Sequence, residues 1–285
     1  MNHSKLRTAK VLVGSLIILL GLCALAFSGT ETKSPVVRLA MVNIPDDIVR
    51  PLLPEFQKQT GLPAEIVYTG DDPYGPARAG KADLVISHYG HHGVESFVSE
   101  GLGCWPHPVF ANQMALFGPP ADPAKVKGLS DAAEALARIA ASKSPFVVNR
   151  SPAARYLEEV LWSSAKIAPE GDWYLDLQEH GKRAFKQADR SGAYVLWGLP
   201  PYLRERQEQQ FRLEPLLIED PLLQRIMVSV VVNPDRVPGV NLSGARAFEQ
   251  FLLDPATQAW VRAFRYPGIP QQVWWPAGRH NDARE

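Results

Sequence analysis

The sequence predicts an α/β protein of two lobes that are joined by two chain crossings. Apolar runs of strand length alternate with amphipathic segments through the first half of the chain. The chain has 285 residues, 46% of them hydrophobic, and this size favours two compact units over a single core. A second α/β unit follows, and the β-branched run 225–232 would then return the chain to the first lobe. Two crossings of this kind make a hinge and place a ligand cleft between the lobes.

Residues 1–28 have the composition of an export segment. Lys5, Arg7 and Lys10 stand without any acidic residue among them, and an uncharged, largely apolar run follows from Val11 to Phe27. We predict either a cleaved signal peptide or a retained membrane anchor. Both alternatives place the body of the protein in the periplasm or another extracytoplasmic space, with no other membrane contact.

The first lobe is predicted to open with three strands separated by helical or loop segments. The strands are expected at 36–42, 64–68 and 82–87. Between the first two, apolar residues from Ile48 to Phe56 share one helix face, and Gly61 ends that helix. Because strands and helices alternate, we expect a largely parallel sheet whose strand ends address a ligand.

The pattern changes after Gly118, where a second lobe is predicted to begin. An alanine-rich helix is expected at 130–141, and Ser151 followed by Pro152 is a typical helix start. Further strands are expected at 145–148, 191–196, 216–218 and 225–232, and a helix at 244–253. We therefore assign residues 35–115 and 226–276 to lobe 1, residues 116–225 to lobe 2, and residues 277–285 to a polar tail.

Charge and motif content exclude several classes of function. The 30 basic residues balance the 30 acidic ones, so the concentrated positive surface that nucleic-acid binding requires is not indicated. The sequence contains no nucleophile elbow, zinc-protease motif, phosphate-binding loop or dinucleotide fingerprint. We therefore predict a protein that is not an enzyme, uses no cofactor and binds no nucleic acid.

A series of short segments in a fixed order resembles a known family. The segments include Leu52-Leu53-Pro54-Glu55-Phe56, Ala82-Asp83-Leu84-Val85-Ile86-Ser87-His88, Phe97-Val98-Ser99-Glu100-Gly101, Gly171-Asp172-Trp173-Tyr174, Gly192-Ala193-Tyr194 and Val232-Asn233-Pro234. From about residue 36 to residue 276, their order and spacing resemble the substrate-binding proteins of ABC-type tungstate transporters, which have the type II periplasmic binding-protein fold. The resemblance implies a bilobed protein that closes on a small-molecule or oxyanion ligand and delivers it to an ABC permease.

The segments that would hold the ligand depart from the family pattern. Where the family carries threonines and a serine after the first strand, this chain has Met41-Val42-Asn43-Ile44. Where the family has an arginine followed by acidic residues and Ser-Gly-Thr, this chain has the shorter Asn149-Arg150-Ser151-Pro152-Ala153-Ala154, with its arginine shifted by one position. The resemblance therefore implies a family scaffold with an altered ligand site.

Arg150, at a strand end, and Ser151, at a helix start, form a candidate anion site. A guanidinium, backbone N–H groups and the positive end of a helix would converge there. The alternative is that Ser151 only caps the helix and Arg150 pairs with a surface acid. The full set of predicted ligand contacts is Asn43, Ser87, His88, Asn149, Arg150, Ser151 and Tyr194.

The third predicted strand is followed by a loop that carries His88, His91 and His92. We predict no metal site, but three imidazoles that converge on one point could bind a metal, whereas a hydrogen-bonded surface loop would not. Two further functions stay open beside solute binding for ABC import. One is a membrane-anchored sensor or assembly protein on the same fold, and the other is a metal-binding protein that uses this loop.

Overall fold

The computed structural model describes residues 36–43 and 46–276. The predictions for residues 1–28 and 277–285 lie outside these described residues. Ten strands are present in the described part: β1 Val37–Met41, β2 Ala64–Thr69, β3 Leu84–His88, β4 His107–Gly118, β5 Phe146–Val147, β6 Tyr174–Leu175, β7 Val195–Gly198, β8 Glu214–Leu217, β9 Gln224–Val231 and β10 Trp275–Pro276.

The same described residues contain ten α-helices. They are α1 Asp46–Val49, α2 Leu52–Thr60, α3 Tyr74–Arg78, α4 His92–Ser99, α5 Ala132–Ser142, α6 Pro152–Ser164, α7 Gly181–Ser191, α8 Leu199–Glu205, α9 Leu242–Leu253 and α10 Pro255–Ala263, with a short 3₁₀ turn at Pro221–Leu223. Across residues 36–43 and 46–276, none of the helices has the length and apolarity that a bilayer crossing requires.

The main sheet has the order β10-β4-β9-β3-β1-β2, and β7 and β8 also pair with β4. The prediction of a largely parallel sheet is wrong. Strand β1 is parallel to β2 and to β3, but β9 lies antiparallel between β3 and β4, and β7, β8 and β10 are antiparallel to β4. Strands β1 to β4 share one direction, as their alternation with helices predicts. Sequence periodicity does not report the direction in which a strand from a distant part of the chain enters the sheet.

Strand β4 connects two parts of the sheet. Its residues from His107 to Gln113 pair with β9, whereas its residues from Met114 to Gly118 pair with β7 and β8. Strand β9 begins at Gln224, which lies opposite Gln113 in the ladder. The chain therefore passes between these two parts twice, once in the middle of β4 and once at the start of β9.

The apolar core continues across both parts of the sheet. One cluster of buried side chains includes Phe56 and Phe248 beside β1 as well as Phe117 and Phe185 beside β7. The ring centroids of Phe56 and Phe248 are 4.9 Å apart, and those of Phe117 and Phe185 are 5.1 Å apart. A second cluster, which includes Trp162, lies entirely within residues 114–223. This packing gives the ends of β3, β4 and β9 a rigid support.

Candidate functional site

A cavity of 370 Å³ lies where strand ends and helix starts meet. Asn43 follows β1 and His88 ends β3, while Ser151 precedes α6 and Gly181 begins α7; all four residues line the cavity. The carboxyl ends of parallel strands are the usual place for a ligand in an α/β sheet. The start of a helix adds a partial positive charge. The arrangement therefore suits an anion.

Arg225, on β9, is a buried cationic group that lines this cavity. It is only 5% exposed, and its Nε and Nη2 atoms have no hydrogen-bond partner among the described residues. Burial lowers the pKa of Arg225 to about 10, so the guanidinium is still charged at neutral pH. A buried charge without a counter-charge is costly, which makes Arg225 the strongest indication of a bound anion in the described structure.

The aromatic ring of Tyr156, on α6, covers one side of Arg225. The guanidinium carbon lies 5.6 Å from the ring centroid, a distance at which a cation is attracted to an aromatic face. The ring also packs against Gly90, where a β-carbon would come within 2.4 Å of it. Gly90 thus permits the histidine loop to approach α6 closely. The ring of Tyr156 does not neutralise the charge of Arg225, so the guanidinium can still attract an anion.

His88 lies next to Arg225 on the cavity floor. It is 4% exposed, and its Nδ1 atom has no hydrogen-bond partner in the described part of the chain. Burial, followed by the charge of Arg225, holds the pKa of His88 well below its ordinary value of 6.5. His88 is therefore neutral at physiological pH and can offer one N–H to a ligand.

Asn112 and Ser151 add polar groups to the cavity. Asn112 lies opposite Arg225 in the β4–β9 ladder, so the two side chains share one face of the sheet. Ser151 occupies the position before α6, but its side chain makes no capping hydrogen bond. The hydroxyl therefore does not take the capping role that was the alternative to ligand contact, and Ser151 lines the cavity.

Arg150 does not line the cavity. Its Nε donates to Asp176 Oδ1 at 2.8 Å, and its Nη2 forms a second hydrogen bond to the same carboxylate. The side chains of Arg150 and Asp176 are 39% and 34% exposed. Hydrogen bonding to Arg150 lowers the pKa of Asp176. The pairing with a surface acid, which was the alternative to anion binding, is thus the arrangement that the structure shows.

Three other predicted contacts have structural partners and do not line the cavity. Ser87 is fully buried, with its hydroxyl 2.7 Å from that of Tyr74. Asn149 accepts hydrogen bonds from the backbone N–H groups of Gly181 and Ser151, at 2.7 and 3.1 Å. In this way Asn149 holds the starts of α7 and α6 side by side. Tyr194 is also buried.

The hydroxyl of Tyr194 donates to Asp122 at 2.7 Å and accepts from the backbone N–H of Ala124 at 3.0 Å. Its partners therefore lie in the loop after β4. Of the seven predicted ligand contacts, the structure brings Asn43, His88 and Ser151 together around the cavity.

The histidine loop is built around His91. Its Nε2 donates to the carbonyl of Asp71 at 2.8 Å, and its Nδ1 accepts from the N–H of Gly93 at 3.0 Å, so both ring nitrogens are engaged. His91 stacks on the exposed ring of His92, with centroids 4.5 Å apart. Within residues 36–43 and 46–276, no group of three or more His, Cys, Asp or Glu side chains could hold a metal ion.

Arg225 is not among the seven ligand contacts that the sequence predicts. In the sequence it is the first residue of a long apolar run. The available signal was a charged side chain at the boundary of a strand that otherwise reads Ile-Met-Val-Ser-Val-Val-Val. A position at the end of a buried strand can expose a side chain to a cleft, but whether it does so depends on the neighbouring elements.

Solved structures share this fold. Tungstate-binding protein TupA from Desulfovibrio alaskensis G20 matches with a TM-score of 0.76 and 25% identity, covering 86% of this chain and 100% of that one. The tungstate ABC transporter structure from Geobacter sulfurreducens matches with a TM-score of 0.69 and 22% identity, covering 80% and 98%. The predicted bilobed α/β fold of type II periplasmic binding proteins, with its two hinge crossings, is thus confirmed.

The family model for bacterial extracellular solute-binding proteins matches residues 37–265. The chain belongs to this family. The tungstate-binding protein TupA of Peptoclostridium acidaminophilum is 29% identical over 237 residues, which are 81% of this chain and 82% of that protein. The resemblance to tungstate-binding proteins that the sequence segments indicated is confirmed.

Proposed function

We propose that this protein is the anion-binding component of an ABC-type importer and that Arg225 is the residue that holds the anion. The observation that carries the proposal is the burial of an unpaired guanidinium on a cavity floor. The tungstate-binding relatives support an anion as ligand and a permease as partner. The proposal includes a periplasmic location, a residue 1–28 segment that is a signal peptide or an anchor, and no catalytic activity.

We infer that the ligand contacts are Arg225, His88, Asn112, Asn43 and Ser151. The first three stand on strands of the sheet, and Ser151 stands at the start of α6. In this proposal the lobes are residues 35–115 with 226–276 and residues 116–225, so the ligand bridges them and favours the closed form. Arg150, Ser87, Asn149 and Tyr194 then support the scaffold.

Anion-dependent thermal stabilisation of the full chain tests the proposal. The melting temperature is measured with tungstate, molybdate, sulfate, acetate and hexanoate at rising concentrations, because a ligand of the native state stabilises it by an amount that grows with the logarithm of the ratio of ligand concentration to Kd. At least one of these anions should stabilise the wild type. Arg225→Met should lower the affinity for that anion between about 10- and 100-fold, since a hydrogen bond to a charged group contributes about 1.5–3 kcal/mol.

The matched control is Arg150→Met, which removes the exposed arginine next to the cavity. It should leave the affinity within about twofold, because Arg150 is held by Asp176 and not by the ligand. Arg225→Lys, which retains the charge without the planar fork, should bind at an intermediate level. The proposal fails if no anion in the panel stabilises the wild type, or if Arg225→Met binds as tightly as the wild type does.

A further inference from the structure

The cavity is larger and more apolar than a simple inorganic anion requires. Its 370 Å³ lies within the range of about 300–1,000 Å³ that is typical of sites for organic small molecules. Five apolar side chains that line it are Val42, Met114, Trp197, Pro200 and Met227. A tetrahedral oxyanion at Arg225 would leave most of these surfaces in contact with water.

The polar and apolar parts of the cavity follow one another along the strands. On β4, Met114 lies two residues beyond Asn112, so both side chains point to the same face of the sheet, about 7 Å apart. On β9, Met227 has the same relation to Arg225, but the two strands are antiparallel, so Met227 lies on the other side of the Arg225–Asn112 pair, beside His88. Gly198 is the partner of Met114 in the β4–β7 ladder, and Pro200, two residues further along the chain, also lines the cavity. A ligand that binds Arg225 and Asn112 and extends along β4 therefore meets Met114 and Pro200, whereas Met227 on the other side lies beside the polar His88.

The charges around the cavity favour a ligand with one negative charge. Lys182 also lines the cavity, but it forms an ion pair with Glu205. The carboxylate of Asp71 is exposed at the cavity and adds negative charge near a second anionic group. Among the described residues that line the cavity, Arg225 is thus the one cationic side chain without an acidic partner.

The lining also contains few hydroxyl donors for an oxyanion. Ser151 is the one serine or threonine among the described lining residues. A small dianion that gives up its water shell needs several hydrogen bonds in return. A carboxylate needs fewer, and it matches the fork of an arginine.

We propose, on the basis of the anion-binding function above, that the ligand is an organic monocarboxylate with an apolar body. Its carboxylate binds Arg225 and Asn112, and its apolar body lies over Met114 and Pro200. This assigns a substrate class that differs from the inorganic oxyanion of the tungstate-binding relatives.

A homologous series of carboxylates tests the substrate class by isothermal titration calorimetry. Acetate, butanoate and hexanoate present the same charge with a growing apolar chain. Each methylene that enters the cavity should raise the affinity about fourfold, so hexanoate should bind about two orders of magnitude more tightly than acetate. Met114→Gln should weaken hexanoate about tenfold and leave acetate within about twofold, because it adds a polar amide to the apolar part alone.

The outcomes separate the two proposals. If tungstate or sulfate binds more tightly than hexanoate and needs Arg225, the substrate class is overturned while the anion-binding function stands. Equal affinity across the carboxylate series in the wild type overturns the substrate class without any variant. If every anion still binds to Arg225→Met, or if no anion binds to the wild type, the anion-binding function itself is overturned.

Discussion

Two arginines near the cavity show how differently the fold can use the same side chain. Arg150 is exposed and bonded through two nitrogens to Asp176, whereas Arg225 is buried and has two nitrogens without a partner. An exposed ion pair contributes little to stability or binding because water screens both charges. A buried and unpaired charge interacts strongly with any anion that reaches it. The position of an arginine in the sequence therefore says less about function than its solvent access and its partners.

A third charged side chain, that of Glu158, is intermediate between the two arginines. Its effect on the free energy of unfolding is the largest that we expect. Glu158 is fully buried, but it accepts hydrogen bonds from Tyr174 and, at 3.1 Å, from Arg155. Burial raises the pKa of Glu158 to about 7 in spite of these partners. The native state therefore holds a proton that the unfolded chain, with an ordinary value of 4.5, has lost.

The sign of the effect follows from this raised pKa. The stabilisation from Glu158 is complete below pH 4.5 and is lost as the pH rises through 7, a difference of about 3 kcal/mol. Glu158→Gln should remove this pH dependence from the free energy of unfolding, measured by urea titration between pH 4.5 and 8. Glu159→Gln is the matched control, because Glu159 is 66% exposed and bonds the same Arg155 at 3.0 Å. If the free energy of unfolding depends on pH in the same way in the wild type and in Glu158→Gln, burial does not raise the pKa of Glu158 as proposed.

Arg225→Met should stabilise the ligand-free protein. Replacing a buried charge that has no partner with an apolar side chain of similar length should raise the free energy of unfolding by about 2 kcal/mol. Urea unfolding in an anion-poor buffer measures this gain. The comparison between the arginines breaks down if the variant is less stable than the wild type, since Arg225 would then have a stabilising partner.

His88 should make the protein less stable in acid. Its pKa is well below 6.5 in the native state, so below pH 6.5 the unfolded chain takes up a proton that the native state does not. The free energy of unfolding should fall by up to about 1.4 kcal/mol per pH unit until the native value is reached. His88→Asn should flatten this slope in unfolding experiments between pH 5 and 7.

The effect of Arg225 on His88 can be measured in the same experiment. Burial is the larger cause of the low His88 pKa, and the charge of Arg225 is the next. In Arg225→Met the native pKa of His88 should move up towards 6.5, so the loss of stability on acidification should end at a higher pH and be smaller in total. An unchanged slope and end point would show that the two side chains do not interact.

Asp176→Asn should have the smallest effect on the site. The change removes the counter-charge of Arg150 but leaves that side chain exposed and outside the cavity. Hexanoate affinity should stay within about twofold of the wild type in calorimetry. A tenfold gain would mean that a released Arg150 reaches the ligand, and the contrast between the two arginines would then depend on Asp176 alone.

Local sequence patterns predicted most of the elements. The strands near 37–41, 64–69 and 84–88 and the helices that begin at Ala132 and Pro152 follow from apolar spacing and turn residues. The insertion of β9 between β3 and β4 could not be predicted in this way. Pairing between strands more than a hundred residues apart depends on how whole units pack, and no local pattern encodes it.

By itself, the sequence determined the fold class, the family scaffold and the region where strand ends would meet a helix start. Asn43, His88 and Ser151 lie at that place because their positions follow from local signals. Only the tertiary structure decided which arginine has a partner. Asp176 neutralises Arg150 from 26 residues away, whereas the fold buries Arg225 without a carboxylate partner among the described residues. Burial and charge pairing are properties of the space around a side chain, and that space is formed by distant parts of the chain.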